Sequence, residues 1–321
     1  MSKQYLTIHT LDDVHPTDIF HLAPTPTGIL SCSGASSIQF NATTTSDFPH
    51  VHTFPKEHIA GVHHMTASAN GDTVVSKGFA GEVLIWKIPP GTEATDDWVL
   101  EGKLTTAGSG GFIWAVALSA DGRYLAGTAS DGHVSVWDLK EEGWPLVRSY
   151  FTKNSFGTSV AITGEGELVA SGHLNGGVYI FDNQKGKLWH SCQGLMLVIR
   201  SVAFSPAAKL LAAAGDAGII AVYDVKTGDQ VMTFTGHKAW VMSLDFNATG
   251  EYLLSGAYDG RLKIWSIENR ACVATHGETA KCLWCVRWLP KAVAKGQTRG
   301  EMFAVAGQAK SISFYREASG S

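Results

Sequence analysis

The chain has 321 residues, of which 45% are hydrophobic and only 17% charged, with 35 glycines and a formal net charge of −4. That balance argues against binding nucleic acid through its phosphates, which takes basic patches, and no apolar run approaches the ~18 residues that span a bilayer. The N-terminus lacks the apolar segment of a signal peptide, and five scattered cysteines, an odd number, point to a reducing compartment.

Residues 4–9 alternate apolar and polar and form the first predicted strand. Residues 15–41 then read as three short strands, with Pro24, Pro26 and Gly28 marking the first turn. A polar stretch and an outer strand fill 41–56. The same three-strand pattern recurs at 59–87, 110–138, 156–182, 197–224, 236–266 and 281–315. An outer strand is expected at 98–104, after a loop insertion at 89–97. A second polar insertion lies at 291–301, and residues 317–321 form a tail expected to be disordered.

Each copy ends in a block of the form Gly-x-apolar-x-apolar-aromatic. The clear blocks close on Trp86, Trp137, Phe181, Tyr223 and Trp265. Weaker ones close at Asn41, with Phe40 one place early, and at Tyr315. A sustained period of ~40–45 residues with four strands per unit marks a propeller. One such unit exposes two apolar sheet faces, and neighbours in a ring bury them. We therefore expect one all-β domain over residues 1–316, a seven-bladed propeller. Residues 4–9 supply the outer strand of the last blade, which closes the ring and removes an open edge.

The most complete copy, 236–266, carries Gly236-His237, Ser255, Asp259-Gly260 and Trp265. These features resemble the WD-repeat family, and the resemblance covers nearly the whole chain. A Ser–His–Asp hydrolase is the rival reading of the same residues. No nucleophile-elbow motif accompanies them. In the family the four positions form a structural tetrad, in which Asp259 orients His237, His237 reaches Ser255 and Ser255 reaches the Trp265 indole. Only this copy is expected to hold all four. The third keeps Asp131 and Trp137 but has Gly110-Gly111 where Gly-His is expected, and the others have lost more.

Other candidate chemistry is weak. Cys282 and Cys285 lie on one predicted strand, where residues three apart face opposite sides, with no second pair for zinc. Histidines 50, 52, 58, 63 and 64 are dense, but His63 and His64 are adjacent on a strand and should diverge. No metal or cofactor is expected.

Aligning the copies on the turn before the second strand predicts two rings at the channel mouth. The inner ring is Phe20, His63, Trp114, Thr158, Arg200, Met242 and Trp284. The outer ring is Gly34, Phe79, Ser130, Leu174, Asp216, Tyr258 and Gln308. Aromatics and Arg clustered on one face are the composition of a binding hot spot. The candidate partner-binding set is Phe20, Phe79, Trp114, Leu174, Arg200, Asp216, Met242, Tyr258, Trp284 and Asp18.

Residues 198–206, then Ala239-Trp240-Val241, then Leu283-Trp284-Cys285-Val286, resemble the WD-repeat subunit of the superkiller complex and its metazoan relatives. That resemblance implies a non-catalytic scaffold in the cytoplasm and nucleus. Its implied partners are a large tetratricopeptide-repeat protein and an RNA helicase that feed messenger RNA 3′ ends to the cytoplasmic exosome. It also implies a meiotic role through the topoisomerase-like break-forming protein. Animal relatives join a transcription elongation complex. Partners of this group present a Gln-Arg-x-x-hydrophobic segment, whose Arg would meet Asp18 or Asp216. The inner ring departs from the human relative's at His63 and Thr158. An adaptor of another complex, in chromatin or a ubiquitin ligase, is the alternative.

Overall fold

The computed structural model describes residues 4–89, 97–106, 108, 110–152, 154–277, 281–290 and 301–318. They form seven four-stranded antiparallel sheets and, among the described residues, no helix. Blade 1 is built from Ile19–Pro24, Gly28–Ser33, Ile38–Ala42 and His50–Thr53. Blades 2 to 7 repeat the plan, with inner strands Val62–Ala67, Ile113–Leu118, Gly157–Ile162, Ile199–Phe204, Val241–Phe246 and Leu283–Trp288. The inner strands touch in sequence around the ring, and the seventh returns to the first.

The seven expected block ends fall in the seven third strands, from Ile38–Ala42 to Ile312–Glu317. The closing strand is present as Tyr5–Leu11, starting one residue later and ending two residues later than expected, and pairs antiparallel with Ile312–Glu317 from Tyr5↔Glu317 to Leu11↔Ile312. Tyr5 is buried against Trp288 and Phe303 of blade 7, so the closure is packed as well as hydrogen-bonded. The ring extends one residue past the expected boundary: Glu317 belongs to the strand, and the Ala318 N–H donates to the Gln4 carbonyl at 2.8 Å. Residues 90–96, 291–300 and 319–321, which hold most of both insertions and of the tail, lie outside the described residues.

Second and third strands are buried on both faces because each sheet is covered by a neighbour on either side. Their alanines and glycines let blades approach. A Cβ on Gly256 would sit 2.6 Å from Val286 of the next blade. Side chains also stitch the inner strands together. Ser201 Oγ accepts the Leu244 N–H, Ser243 Oγ the Val286 N–H, and Cys285 Sγ the Leu22 N–H, at 3.0, 3.1 and 3.3 Å. Cys285 thus closes the seam between the last blade and the first. All five cysteines are free, and burial pushes the Cys282 thiol up to about 12.

Candidate functional site

Every inner strand carries one unpaired residue near its start. In blade 1 the register runs Ile19↔Ser33 and then His21↔Cys32, which leaves Phe20 as a bulge. The same irregularity leaves out His63, Trp114, Thr158, Arg200, Met242 and Trp284. These seven are the residues aligned on the inner ring. A bulge re-aims the extra side chain away from the pleat, here toward one end of the central cavity, which all seven line. The cavity measures about 790 Å³.

Ring contacts join these residues into a crescent. Phe156 packs on Trp114 at 5.4 Å, Trp114 on His63 at 4.4 Å, and His63 on Phe79 at 4.6 Å. Phe79 meets Phe20 at 5.5 Å and Phe20 meets Trp284 at 5.8 Å. Tyr258 continues the row to Trp240, whose ring lies 4.4 Å beneath the Arg200 guanidinium. Arg200 and Asp216 form a two-pronged ion pair that ends it, with Nη2 donating to Oδ2 at 3.1 Å. Phe79, Leu174 and Tyr258 remain 46%, 55% and 49% exposed, while Phe20, Trp114, Met242 and Trp284 are half-buried.

Both carboxylates expected to meet a partner's Arg have an internal donor. Asp216 uses both oxygens on Arg200. Asp18 accepts the Trp284 indole N–H through Oδ2 at 3.0 Å, and its Oδ1 has no hydrogen bond among the described residues. Asp18 therefore keeps an open acceptor, whereas Asp216 must give up part of the Arg200 pair. Thr158 contributes no ring: its hydroxyl faces the carbonyls of Gly172 and Ile199.

Sequence reasoning missed Phe112, Phe156 and Trp240 at this mouth. Trp240 and Phe112 occupy equivalent places two residues before the bulge, and that recurrence was the available signal. It also misplaced the histidine pair. His63 and His64 do not diverge: the bulge cancels the alternation, and their Nδ1 atoms are 2.8 Å apart. Burial drives both pKa values down, to about 2 and about 3, so both rings are neutral. No cluster of three or more metal-ligating side chains occurs among the described residues.

The tetrad of blade 6 is assembled. His237 Nε2 lies 2.7 Å from Ser255 Oγ, the Trp265 indole donates to the same oxygen at 2.8 Å, and Asp259 is 3.4 Å from Nδ1. The proton facing Asp259 leaves Nε2 to accept the Ser255 hydroxyl. Ser255 and the His237 ring are fully buried, so no substrate reaches this hydroxyl.

Blade 6 is not alone, contrary to expectation. In blade 2, His58 lies 2.7 Å from Ser76 Oγ, Trp86 donates to that oxygen at 2.8 Å, and Glu82 stands 3.0 Å from His58 Nδ1. The acid follows the turn glycine, Gly81, instead of preceding it, so the Asp-Gly pattern passes over it. Blade 1 adds His15 on Ser31 at 2.9 Å, with Ser37 on the Nδ1 side. His15, His58 and His237 each stand five residues before their bulge, and by that spacing the blade 3 slot is 109, outside the described residues, not Gly110-Gly111. Asp131 instead holds His133 at 2.9 Å.

Comparison with known proteins agrees with the architecture. A family profile described as "WD domain, G-beta repeat" matches residues 100–138 and 228–266. Meiotic recombination protein rec14 of Schizosaccharomyces pombe is 34% identical over 318 residues, spanning 99% of both chains. Antiviral protein SKI8 of Saccharomyces cerevisiae is 26% identical, over 86% of this chain and 83% of its own. Mouse striatin-4 is 28% identical over 71% of this chain but only 31% of its own length. Seven blades, a strand-closed ring and full-length likeness together establish that the chain belongs to the WD-repeat β-propeller family.

Proposed function

We propose that this chain is a non-catalytic adaptor that holds short peptide segments of a tetratricopeptide-repeat protein at the channel mouth. Through that protein it serves an RNA helicase in 3′–5′ messenger RNA decay by the cytoplasmic exosome. The observation that carries the reading is the unbroken crescent from Phe156 to Arg200 and Asp216. Large aromatics left half-exposed beside an Arg are costly to keep solvated and are what peptide-binding hot spots use. The free Oδ1 of Asp18, next to Trp284, is the better of the two carboxylates for a partner's Arg, by a charge-assisted hydrogen bond. The likeness to SKI8 supports the decay assembly.

The fuller likeness to rec14, a meiotic recombination protein, 34% identical over 99% of this chain, favours a second use of the same mouth. There the partner is the topoisomerase-like break-forming protein, and the chain works in the nucleus as well as the cytoplasm. Affinity purification of a tagged copy with mass spectrometry tests both readings. The wild type should bring down a tetratricopeptide-repeat protein and a helicase, and in meiotic cells the break-forming protein. Trp114→Ala and Trp284→Glu should lose them with thermal melting unchanged. Normal recovery by both variants would discard the site, and recovery of an unrelated chromatin, elongation or ubiquitin-ligase assembly would discard the partner assignment.

A further inference from the structure

Below the aromatic mouth the cavity has two unlike walls. Blades 3 to 5 line it with Ala117, Ala161 and Ala203, while blades 1, 2, 6 and 7 present His21, His64, Asp245 and Arg287. The Arg287 guanidinium donates through Nη1 to Ser243 Oγ at 2.9 Å and to the Val286 carbonyl at 2.7 Å. Its Nη2 donates to His21 Nε2 at 2.9 Å. All three acceptors are neutral, and among the described residues no carboxylate comes within ion-pair distance of it. The His21 ring lies 5.3 Å from that of His64, and burial holds both well below the usual histidine range, so neither adds charge.

Asp245 lines the same wall, one blade away. Its Oδ2 accepts the Trp288 N–H at 2.7 Å, and burial, outweighing the attraction of Arg287, raises its pKa to about 6. A carboxylate well paired with Arg287 would have been pulled down instead. The guanidinium is therefore incompletely compensated, and it faces a cavity whose far wall offers alanines and the Ser159 and Ser201 hydroxyls but, among the described residues, no carboxylate, so its charge is weakly screened.

We propose that this wall is a carboxylate-binding site, in which Arg287 takes a carboxylate-bearing group that enters through the mouth, with Asp245 as the internal competitor. A planar guanidinium matches a carboxylate's two oxygens. The carboxylate is either a free small anion or an acidic side chain on a bound segment. Only the second source rests on the peptide reading above.

The test is a titration of the full-length protein, labelled in its histidine rings, followed by NMR of His21 and His64. The probes are sodium formate and two peptides, Gln-Arg-Ala-Ala-Leu-Glu and its twin ending in Leu-Gln, both amidated at the C-terminus. Saturation by formate supports a free-anion site, and tenfold tighter binding of the Glu peptide than of its twin supports a side chain. In either case Arg287→Gln should weaken binding at least tenfold, and Asp245→Asn, which removes the competitor and leaves the guanidinium in place, should tighten it severalfold. Should Arg287→Gln fail to fold, the Asp245→Asn comparison still decides. The proposal is overturned if neither formate nor the Glu–Gln difference registers, or if both variants bind as the wild type does. Failure of both peptides with saturation by formate would count against the peptide reading alone.

Discussion

Blades 2 and 6 hold a histidine between a carboxylate and a serine, whereas blades 1 and 4 hold one without any acid. Glu82 and Asp259 each bridge a histidine and the next backbone amide, Ile59 N–H at 3.0 Å and Lys238 N–H at 2.8 Å. In blade 1 the corresponding partner is Ser37, and in blade 4 His173 Nδ1 faces the Ser155 carbonyl at 2.8 Å. The two kinds of blade show what each part of the network does. In blades 1, 2 and 6 the serine–histidine contact ties the second strand to the segment leading into the inner strand; in blade 4 Ser171 and His173 share the second strand, and His173 Nδ1 makes the tie by donating to the Ser155 carbonyl. The acid adds a pin between that segment and the turn before the third strand. The indole adds a bond only where a serine waits for it.

Acid should break this comparison most strongly. Burial lowers the pKa values of His15, His58, His173 and His237, in blade 1 to about 4. A group depressed in the folded state binds more protons when unfolded, so stability falls as the pH drops from about 6.5 toward the folded values. For His15 alone that loss is about 3 kcal/mol. Asp245 works in reverse: its contribution is present below about 4 and is lost as the pH rises through about 6. Urea midpoints measured from pH 7.5 to 4.5 should fall steadily, and His15→Gln should flatten the curve more than His237→Gln, whose acid partner opposes the shift. Equal flattening by the two would remove the distinction between acid-held and acid-free blades.

Removing the serine comes next. Ser76→Ala and Ser255→Ala each leave a buried indole N–H and a histidine nitrogen without a partner, so each should cost about 2–4 kcal/mol. Ser171→Ala in blade 4, where Phe181 needs no acceptor, should cost about half as much by the same chemical-denaturation measurement. Equal costs in the three blades would show that the indole bond adds nothing.

The acids themselves should differ. Glu82 is almost fully buried and lies near the buried Lys77, whose amino group donates to the Gly78 carbonyl. Burial lowers Lys77 to about 8 while Glu82 acts to raise it. Glu82→Gln keeps an amide oxygen for His58 and the Ile59 N–H but removes the counter-charge of a buried cation, with an expected cost of about 2–3 kcal/mol. Asp259→Asn, at a more open turn, should cost about 1 kcal/mol. If Lys77→Met rescues Glu82→Gln but leaves Asp259→Asn unchanged, the added role of Glu82 is established.

These blades also show what a sequence displays and what it hides. The block that ends each copy was readable because a third strand buried on both faces must be apolar and must end in a large side chain. Closure was readable because Tyr5, Leu6, Thr7 and Ile8 alternate with no partner nearby in the chain. The bulge was hidden: one extra residue leaves no compositional mark, although alignment on the turn still found the seven positions it re-aims. That is why the inner ring emerged while the His63–His64 contact did not. The second tetrad was hidden because Glu82 arrives from the other side of Gly81 with a longer side chain, so the contact is kept while the motif is lost. Phe112, Phe156 and Trp240 escape the alignment because they stand two residues before the aligned position, outside the two rings that it compares.

The smallest expected effect sharpens the comparison furthest, because it turns on a single hydrogen bond. Where the serine slot has been lost, the polar atom of the closing aromatic is stranded. Gly127, Ala213 and Val305 occupy that slot in blades 3, 5 and 7, and Trp137 Nε1, Tyr223 Oη and Tyr315 Oη have no partner among the described residues. Trp137→Phe loses indole volume but also removes an unsatisfied donor. Trp265→Phe loses similar volume and a formed bond to Ser255. The two cavities are alike, since both indoles are buried in one ring position of one fold. Their difference in unfolding free energy should therefore isolate the bond, with Trp265→Phe costlier by about 1 kcal/mol. Adding Ser255→Ala should erase that difference, because the phenyl ring and the stranded indole would then face equivalent unpolar slots. A difference that persists in the Ser255→Ala background would place the extra stability in packing around the ring, and the hydrogen bond would lose its role in telling the two blades apart.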